Sequence, residues 1–279
     1  MSSARISFFQ RWNWRTLAFV IVDGLLVVFL LYEGALALLA PWVLLEPAPL
    51  GYSPQFVRWY VAQMGALACI LGCGCLLALL WKPGEKPLLA QFVGMAFVLF
   101  TLIVLVFFAS NLTVLLIAAI VVMCLFVVTY PRPRSLVSFS REGALSIPLV
   151  VLSLVAAVLL APIAWYDLTQ QIRFPVTGYA QSGEWMYSFM LALLLVLGGL
   201  LSATKRAGWN VLGILIGVTL LYLGVAAFVT AGSPGSWGTV GGILAVLGGV
   251  AYISFTCYEM WNVAKPPAEA VSPPVPPQE

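Results

Sequence analysis

The sequence predicts an all-α polytopic membrane protein, with eight transmembrane helices arranged as two parallel four-helix repeats. Three observations carry that prediction. Of 279 residues, 62% are apolar and 8% charged, and the mean hydropathy is +1.05. A water-soluble domain so composed would expose a very large apolar surface. The apolar residues fall into eight stretches, each close to the roughly 20 residues a helix needs to cross the hydrocarbon core. Landmarks of the first half recur in the same order in the second, the signature of an internal repeat.

In order, the stretches are 16–41, 56–81, 88–109, 112–130, 144–165, 184–203, 209–231 and 237–260. They are continuously apolar and lack the alternation of a transmembrane β-strand, so helices are the spanning structure that satisfies the backbone in lipid. Helix 1 follows Arg11 and Arg15 and ends near Ala35-Leu36-Ala37, the ingredients of a cleaved signal peptide. Its apolar run exceeds the about 7 to 15 residues of a signal-peptide core, and the repeat requires it, so it reads as a membrane helix.

The net charge is +3, and its placement follows membrane topology. With the N-terminus inside, Arg5, Arg11, Arg15, Lys82, Lys86, Arg132, Arg134, Arg141, Lys205, Arg206 and Lys265 fall on the cytoplasmic side, against Arg58 and Arg173 outside. That asymmetry predicts a cell-membrane protein with both termini cytoplasmic. The tryptophans cluster at helix ends, Trp12, Trp14, Trp81, Trp209 and Trp261 inside and Trp42, Trp59, Trp165, Trp185 and Trp237 outside, as aromatic belts do. No Lys/Arg-rich run offers a phosphate-binding surface. The expected partners are therefore the lipid bilayer and other membrane subunits, not nucleic acid.

The repeat rests on spacing. Tyr32-Glu33 is followed after seven residues by Pro41, and Tyr166-Asp167 after seven by Pro175. Each proline precedes a loop tyrosine, Tyr52 or Tyr179, and then a charged residue and tryptophan that open the next helix, Arg58-Trp59 or Glu184-Trp185. Met64 and Gly72 correspond to Met190 and Gly198, and Gly94 to Gly217. Units with an even number of spans enter the membrane in the same direction, so the repeats are parallel and related by an axis along the membrane normal. The predicted organisation is a cytoplasmic segment 1–15, repeat one 16–130, a Pro/Arg-rich cytoplasmic linker 131–143, repeat two 144–260 and a cytoplasmic tail 261–279. Pro266, Pro267, Pro273, Pro274, Pro276 and Pro277 bar helix 8 from continuing into that tail, which is expected to be extended and disordered.

Each unit resembles the DoxX-like group of four-helix membrane proteins. The resemblance lies in a long first helix ending in a proline-bearing outer loop, around Pro41 and Pro175, and in a second helix with a charged start and glycine-rich middle, Arg58 to Gly74 and Glu184 to Gly199. It spans most of 16–260 and implies a fold more than a function. Members of the group are linked to thiosulfate and quinone chemistry, and no catalytic residue carries over.

The chain has no histidine, which removes histidine-ligated haem or pigment, Ser-His-Asp catalysis and most zinc sites and leaves any other cofactor open. Of the cysteines, Cys69, Cys73 and Cys75 cluster in helix 2. Gly65, Cys69 and Cys73 lie four residues apart on one stripe, which reads as a small-residue packing face ahead of a thiol-redox or metal site. Gly213 and Gly217, and Gly238 and Gly242, share that spacing and the same expected role.

Three acids are candidate ion or ligand contacts. Asp23 lies about 10 Å in from the cytoplasmic end of helix 1, at 1.5 Å per residue. There a charge costs at least about 2.5 kcal/mol on insertion scales, so it needs a partner on another helix, a water pocket or a proton. Glu33 and Asp167 hold equivalent repeat positions near the outer face. They read either as an acidic vestibule for a cation or amine or as interfacial acids, hydrated or paired with Arg58 and Arg173. Without a nucleophile, base or metal constellation, the expected function is that of a non-catalytic accessory or structural subunit of a membrane assembly. The alternatives are a small transporter or permease lined by Asp23, Glu33 and Asp167, and a quinone- or thiol-linked enzyme suggested by the family resemblance.

Overall fold

The computed structural model describes residues 13–43, 54–108, 113–138, 145–173 and 184–264. Among these the regular elements are helical: α1 (Trp14–Gly34) with a 3-10 turn (Ala37–Leu39), α2 (Pro54–Gly65), a π-helical stretch (Ala66–Cys73), α3 (Gly74–Leu80), α4 (Pro87–Phe108), α5 (Thr113–Thr129), a short α6 (Pro133–Val137), α7 (Ile147–Arg173), α8 (Glu184–Ser202), α9 (Trp209–Val229) and α10 (Gly238–Ala264). The loops carrying Tyr52 and Tyr179, the second half of the linker and the proline-rich tail lie outside the described residues.

Seven helices among the described residues are long and apolar enough to cross a membrane: Trp14–Leu39, Arg58–Leu80, Pro87–Phe107, Ile147–Arg173, Trp185–Ser202, Trp209–Val229 and Gly238–Asn262. The predicted fourth span, 112–130, is not among these seven within the described residues. Its helix α5 has 17 residues, and at 1.5 Å each it measures about 26 Å, under the about 30 Å of a typical hydrocarbon core.

The helices bury one stripe and leave the opposite one apolar and open. On α7 the buried residues Leu149, Ser153, Leu160, Ala164, Asp167 and Gln171 follow helical spacing, while Val151, Leu154, Val158 and Trp165 are exposed. Exposed hydrophobic residues and buried polar ones suit a chain wetted by lipid, where polar groups must be satisfied within the protein.

Gly65 and Gly74 at the ends of the π-helical stretch keep right-handed helical dihedrals, φ −59° and ψ −44°, so α2, the π stretch and α3 form one continuous helix. Around it two rings of neighbours close. In the first half α1 packs on this helix and on α5, and α4 on α3 and α5; in the second α7 packs on α8 and α10, and α9 on α8 and α10. The halves meet where the 54–80 helix and α4 face α8 and α9. Their shared core holds Leu71, Leu76, Phe92, Leu195, Ile216 and Leu223.

Small residues set the closest contacts. A Cβ on Gly34 would stand 2.7 Å from the Cys69 sulfur, and one on Gly65 2.6 Å from the Leu38 nitrogen. The α9–α10 pair is comparably close, since a Cβ on Gly249 would lie 2.7 Å from the Gly217 carbonyl oxygen and one on Gly224 2.8 Å from that of Gly242. Gly213 faces Thr256, and a Cβ on it would stand 2.6 Å from the hydroxyl oxygen. Gly238 departs from the expected packing role. A Cβ there meets nothing within 4 Å, and its φ of +62° marks the turn into α10, a conformation glycine takes without steric cost.

These distances predict opposite outcomes for two helical glycines. Gly249→Ala, which would press on the Gly217 carbonyl and on Leu221, is expected to lower stability by about 1–3 kcal/mol. Gly94→Ala, with open space around it, is expected to hold or raise stability, by up to about 1 kcal/mol. Thermal unfolding in detergent ranks the two variants against the parent.

Candidate functional site

Asp167 is the acid around which most polar groups gather. It sits on the buried stripe of α7 at 1% exposure, and the Ser188 hydroxyl of α8 donates to its Oδ2 at 2.5 Å. The Tyr60 hydroxyl of α2 stands beside the same carboxyl, so the site bridges both halves of the chain. Gly235, at φ +76°, lies directly over Tyr60; a Cβ there would be 2.2 Å from the hydroxyl oxygen. Trp59, one residue before Tyr60, meets Trp237 edge-on at 5.3 Å between ring centroids, so indoles flank the site.

The expected arginine partners are not what holds Asp167. Among the described residues the ion pairs are Lys82–Glu85 and Lys205–Glu259, and the Arg58 Nε is buried without a hydrogen-bond partner. Ser188, near the start of α8, had no sequence signal beyond being a hydroxyl in an apolar run. Glu33, the matched acid of the first half, is exposed. By the register that pairs Trp59 with Trp185 and Met64 with Met190, the position matching Ser188 is Ala62, so the first half has no hydroxyl there to hold an acid.

Asp23 is fully buried, at 0% exposure, and among the described residues neither carboxyl oxygen has a hydrogen-bond partner. One turn before it, Phe19 packs on Phe126 at 5.5 Å and edge-on against Tyr130 at 5.4 Å. Cys75, buried on α3, lies within electrostatic reach of the carboxyl. Further along α1 the Cys73 and Cys69 thiols point at the Val27 and Leu30 carbonyls, at 3.6 and 3.7 Å. The cysteine stripe therefore faces α1, and its S–H groups are spent on backbone acceptors. Among the described residues no three of Cys, Asp and Glu gather as a metal-ligand group.

Two further polar assemblies were not legible in the sequence. Inside the second half, the Tyr252 hydroxyl meets the Ser153 hydroxyl at 2.8 Å and Ser202 at 3.4 Å, while Ser153 also donates to the Leu149 carbonyl at 2.6 Å. This knot joins α7, α8 and α10, and Gly199 leaves room for it. At the linker end, Arg206 donates to Gln91 Oε1 at 2.7 Å and to the Ser138 carbonyl, and Gln91 Nε2 donates to the Leu136 carbonyl at 2.7 Å. Nearby, Glu259 accepts from Lys205 at 2.5 Å and from Ser146 at 2.9 Å. The Lys86 ammonium donates to the Ala78 carbonyl at 2.5 Å. Burial, with Lys82 beside it, pushes that ammonium below the ordinary lysine value, and Glu85 works against the shift.

Removing the hydroxyl that holds Asp167 strands a buried acceptor, at a cost of about 1–3 kcal/mol. Ser188→Ala is therefore expected to lower thermal stability in detergent, whereas Glu33→Gln, at an exposed position, leaves it unchanged; equal stability of Ser188→Ala and the parent would remove this bond from the account. Comparison with protein-family models, with curated proteins and with solved structures finds no match for this chain.

Proposed function

We propose that the chain is a non-catalytic integral membrane protein acting as an accessory or structural subunit of a membrane assembly. The observation that carries this reading is the separation of the three acids a transport pathway would have to share. Asp167 is closed off by Ser188, Asp23 is enclosed with no hydrogen-bond partner among the described residues, and Glu33 is exposed. The hydroxyls and thiols of the spans donate largely to carbonyl and carboxyl acceptors within the protein, which stiffens a scaffold and leaves few groups to hand a solute along.

The same reading takes the fold to be eight spans in two parallel DoxX-like repeats, with α5 as the fourth, short span. Helices of restricted length are accommodated by local thinning of the bilayer at modest cost. Support for the repeat comes from the two matching rings and from the seam between them. The 54–80 helix touches α9 and α4 touches α8, the two contacts that a twofold axis through the seam would exchange. The loop charges support cytoplasmic termini.

Two measurements test the proposal. Purified protein in sealed vesicles is expected to carry no flux of protons, alkali cations or small amines above empty vesicles, and to co-elute in fixed ratio with a membrane partner after cross-linking in native membranes. Flux that disappears with Asp23→Asn would establish a transporter instead. For orientation, single cysteines at Ser53, Gln181 and Ser236 are expected to react with an impermeant thiol reagent from outside, and those at Glu85 and Ser135 only after permeabilisation; outside labelling at Ser135 would reverse the topology.

A further inference from the structure

Asp23 presents a chemical problem that the subunit reading does not use. An ionised carboxylate is a pure acceptor with room for several hydrogen bonds, and an unpaired one in apolar surroundings is among the costliest groups a protein can bury. Around Asp23 the packed elements offer almost no donors. On α1 itself the adjoining turn carries Phe19, and α5 contributes Phe126. From the π-helical stretch come the Cys69 and Cys73 thiols, both directed to carbonyls further along α1. On α3 the titratable neighbour is Cys75, a weak donor at best. Tyr130, beyond the end of α5, meets the ring of Phe19, and Arg15, two turns earlier on α1, stacks on Trp14 at 5.5 Å.

Polar side chains in these helices repeatedly send their hydrogen to the carbonyl four residues earlier: Thr129 to Leu125 at 2.6 Å, Ser153 to Leu149 at 2.6 Å, Thr219 to Leu215 at 2.7 Å and Thr256 to Tyr252 at 2.7 Å. A carboxylic acid at position 23 carries an O–H that can turn to the Phe19 carbonyl in the same manner, whereas a carboxylate cannot. We infer that Asp23 is a proton-binding site inside the membrane, a carboxylic acid that keeps its proton at neutral pH within the seam of α1, the 54–80 helix and α5. The ligand is the proton, and the site stands whether or not the chain is a subunit.

The composition makes the test direct, because Asp23 and Asp167 are the two aspartates of the chain. Full-length protein labelled with ¹³C at the aspartate carboxyl, in lipid nanodiscs at neutral pH, gives an infrared carboxyl spectrum with contributions from these two groups. In Asp167→Asn protein the remaining isotope-shifted band belongs to Asp23. It is expected at the C=O stretch of a protonated acid, to persist in mildly alkaline buffer, and to vanish in Asp23→Asn, which keeps the parent's circular dichroism because an amide replaces a neutral acid of the same shape. A carboxylate pair of bands from Asp23 at neutral pH would overturn the inference. Should Asp167→Asn fail to fold, Ser188→Ala serves instead: it moves the Asp167 band and leaves that of Asp23 in place, and a protonated-acid band that moves with Ser188→Ala would equally defeat the assignment.

Discussion

Hydrocarbon neither gives nor accepts hydrogen bonds, so every polar group that the chain carries into its apolar helices must be closed by another part of the chain or neutralised. Most features of the structure are ways of meeting that demand. Threonine and serine hydroxyls return their hydrogen to the carbonyl one turn earlier, as Thr219 does to Leu215. Cysteine thiols reach across to the carbonyls of α1, and Tyr222 donates to the Leu38 carbonyl at 2.8 Å. The backbone of each helix is thus both the barrier-crossing element and the acceptor that accommodates the polar side chains of its neighbours.

Closing carbonyls across an interface requires that backbones come close, and small residues permit it. The two halves solve this differently. In the second, glycines on α9 and α10 oppose one another so that Gly217 and Gly249, and Gly224 and Gly242, bring backbone against backbone. In the first, Gly34 at the end of α1 and Gly65 against the 3-10 turn that follows α1 perform that service for the 54–80 helix, with cysteine taking part of the stripe. That helix widens into eight residues of π-helix across the same stretch, an unusual geometry that tends to occur where a helix surface is specialised.

The acids show how far local context governs chemistry. Two carboxyls at matched positions, Glu33 and Asp167, differ because Ser188 and Tyr60 gather at one and Ala62 stands at the place of the serine at the other. The buried Tyr252 knot belongs to the second half, while Phe19, Phe126 and Tyr130 fill an aromatic layer between α1 and α5 in the first. The two halves of the chain thus carry different polar fillings.

Helix number to within the short α5, the all-helical class and the lipid setting were determined by the sequence alone, because continuous apolar runs of membrane-spanning length leave the backbone no other solution. The packing stripe of Gly65, Cys69 and Cys73 was legible for a similar reason, since spacing by four places residues on one face of a helix. What the side chains bond to was not. Ser188, Tyr60, Gln91 and Arg206 are far from their partners in sequence, and hydrogen bonds form where the packing of helices brings donors to acceptors. The π-helical widening and the positive φ of Gly238 were equally invisible, as composition constrains neither. The sequence set which residues had to leave water; only the tertiary arrangement decided which acceptors and donors the polar ones met, and that Asp23 has no hydrogen-bond partner among the described residues.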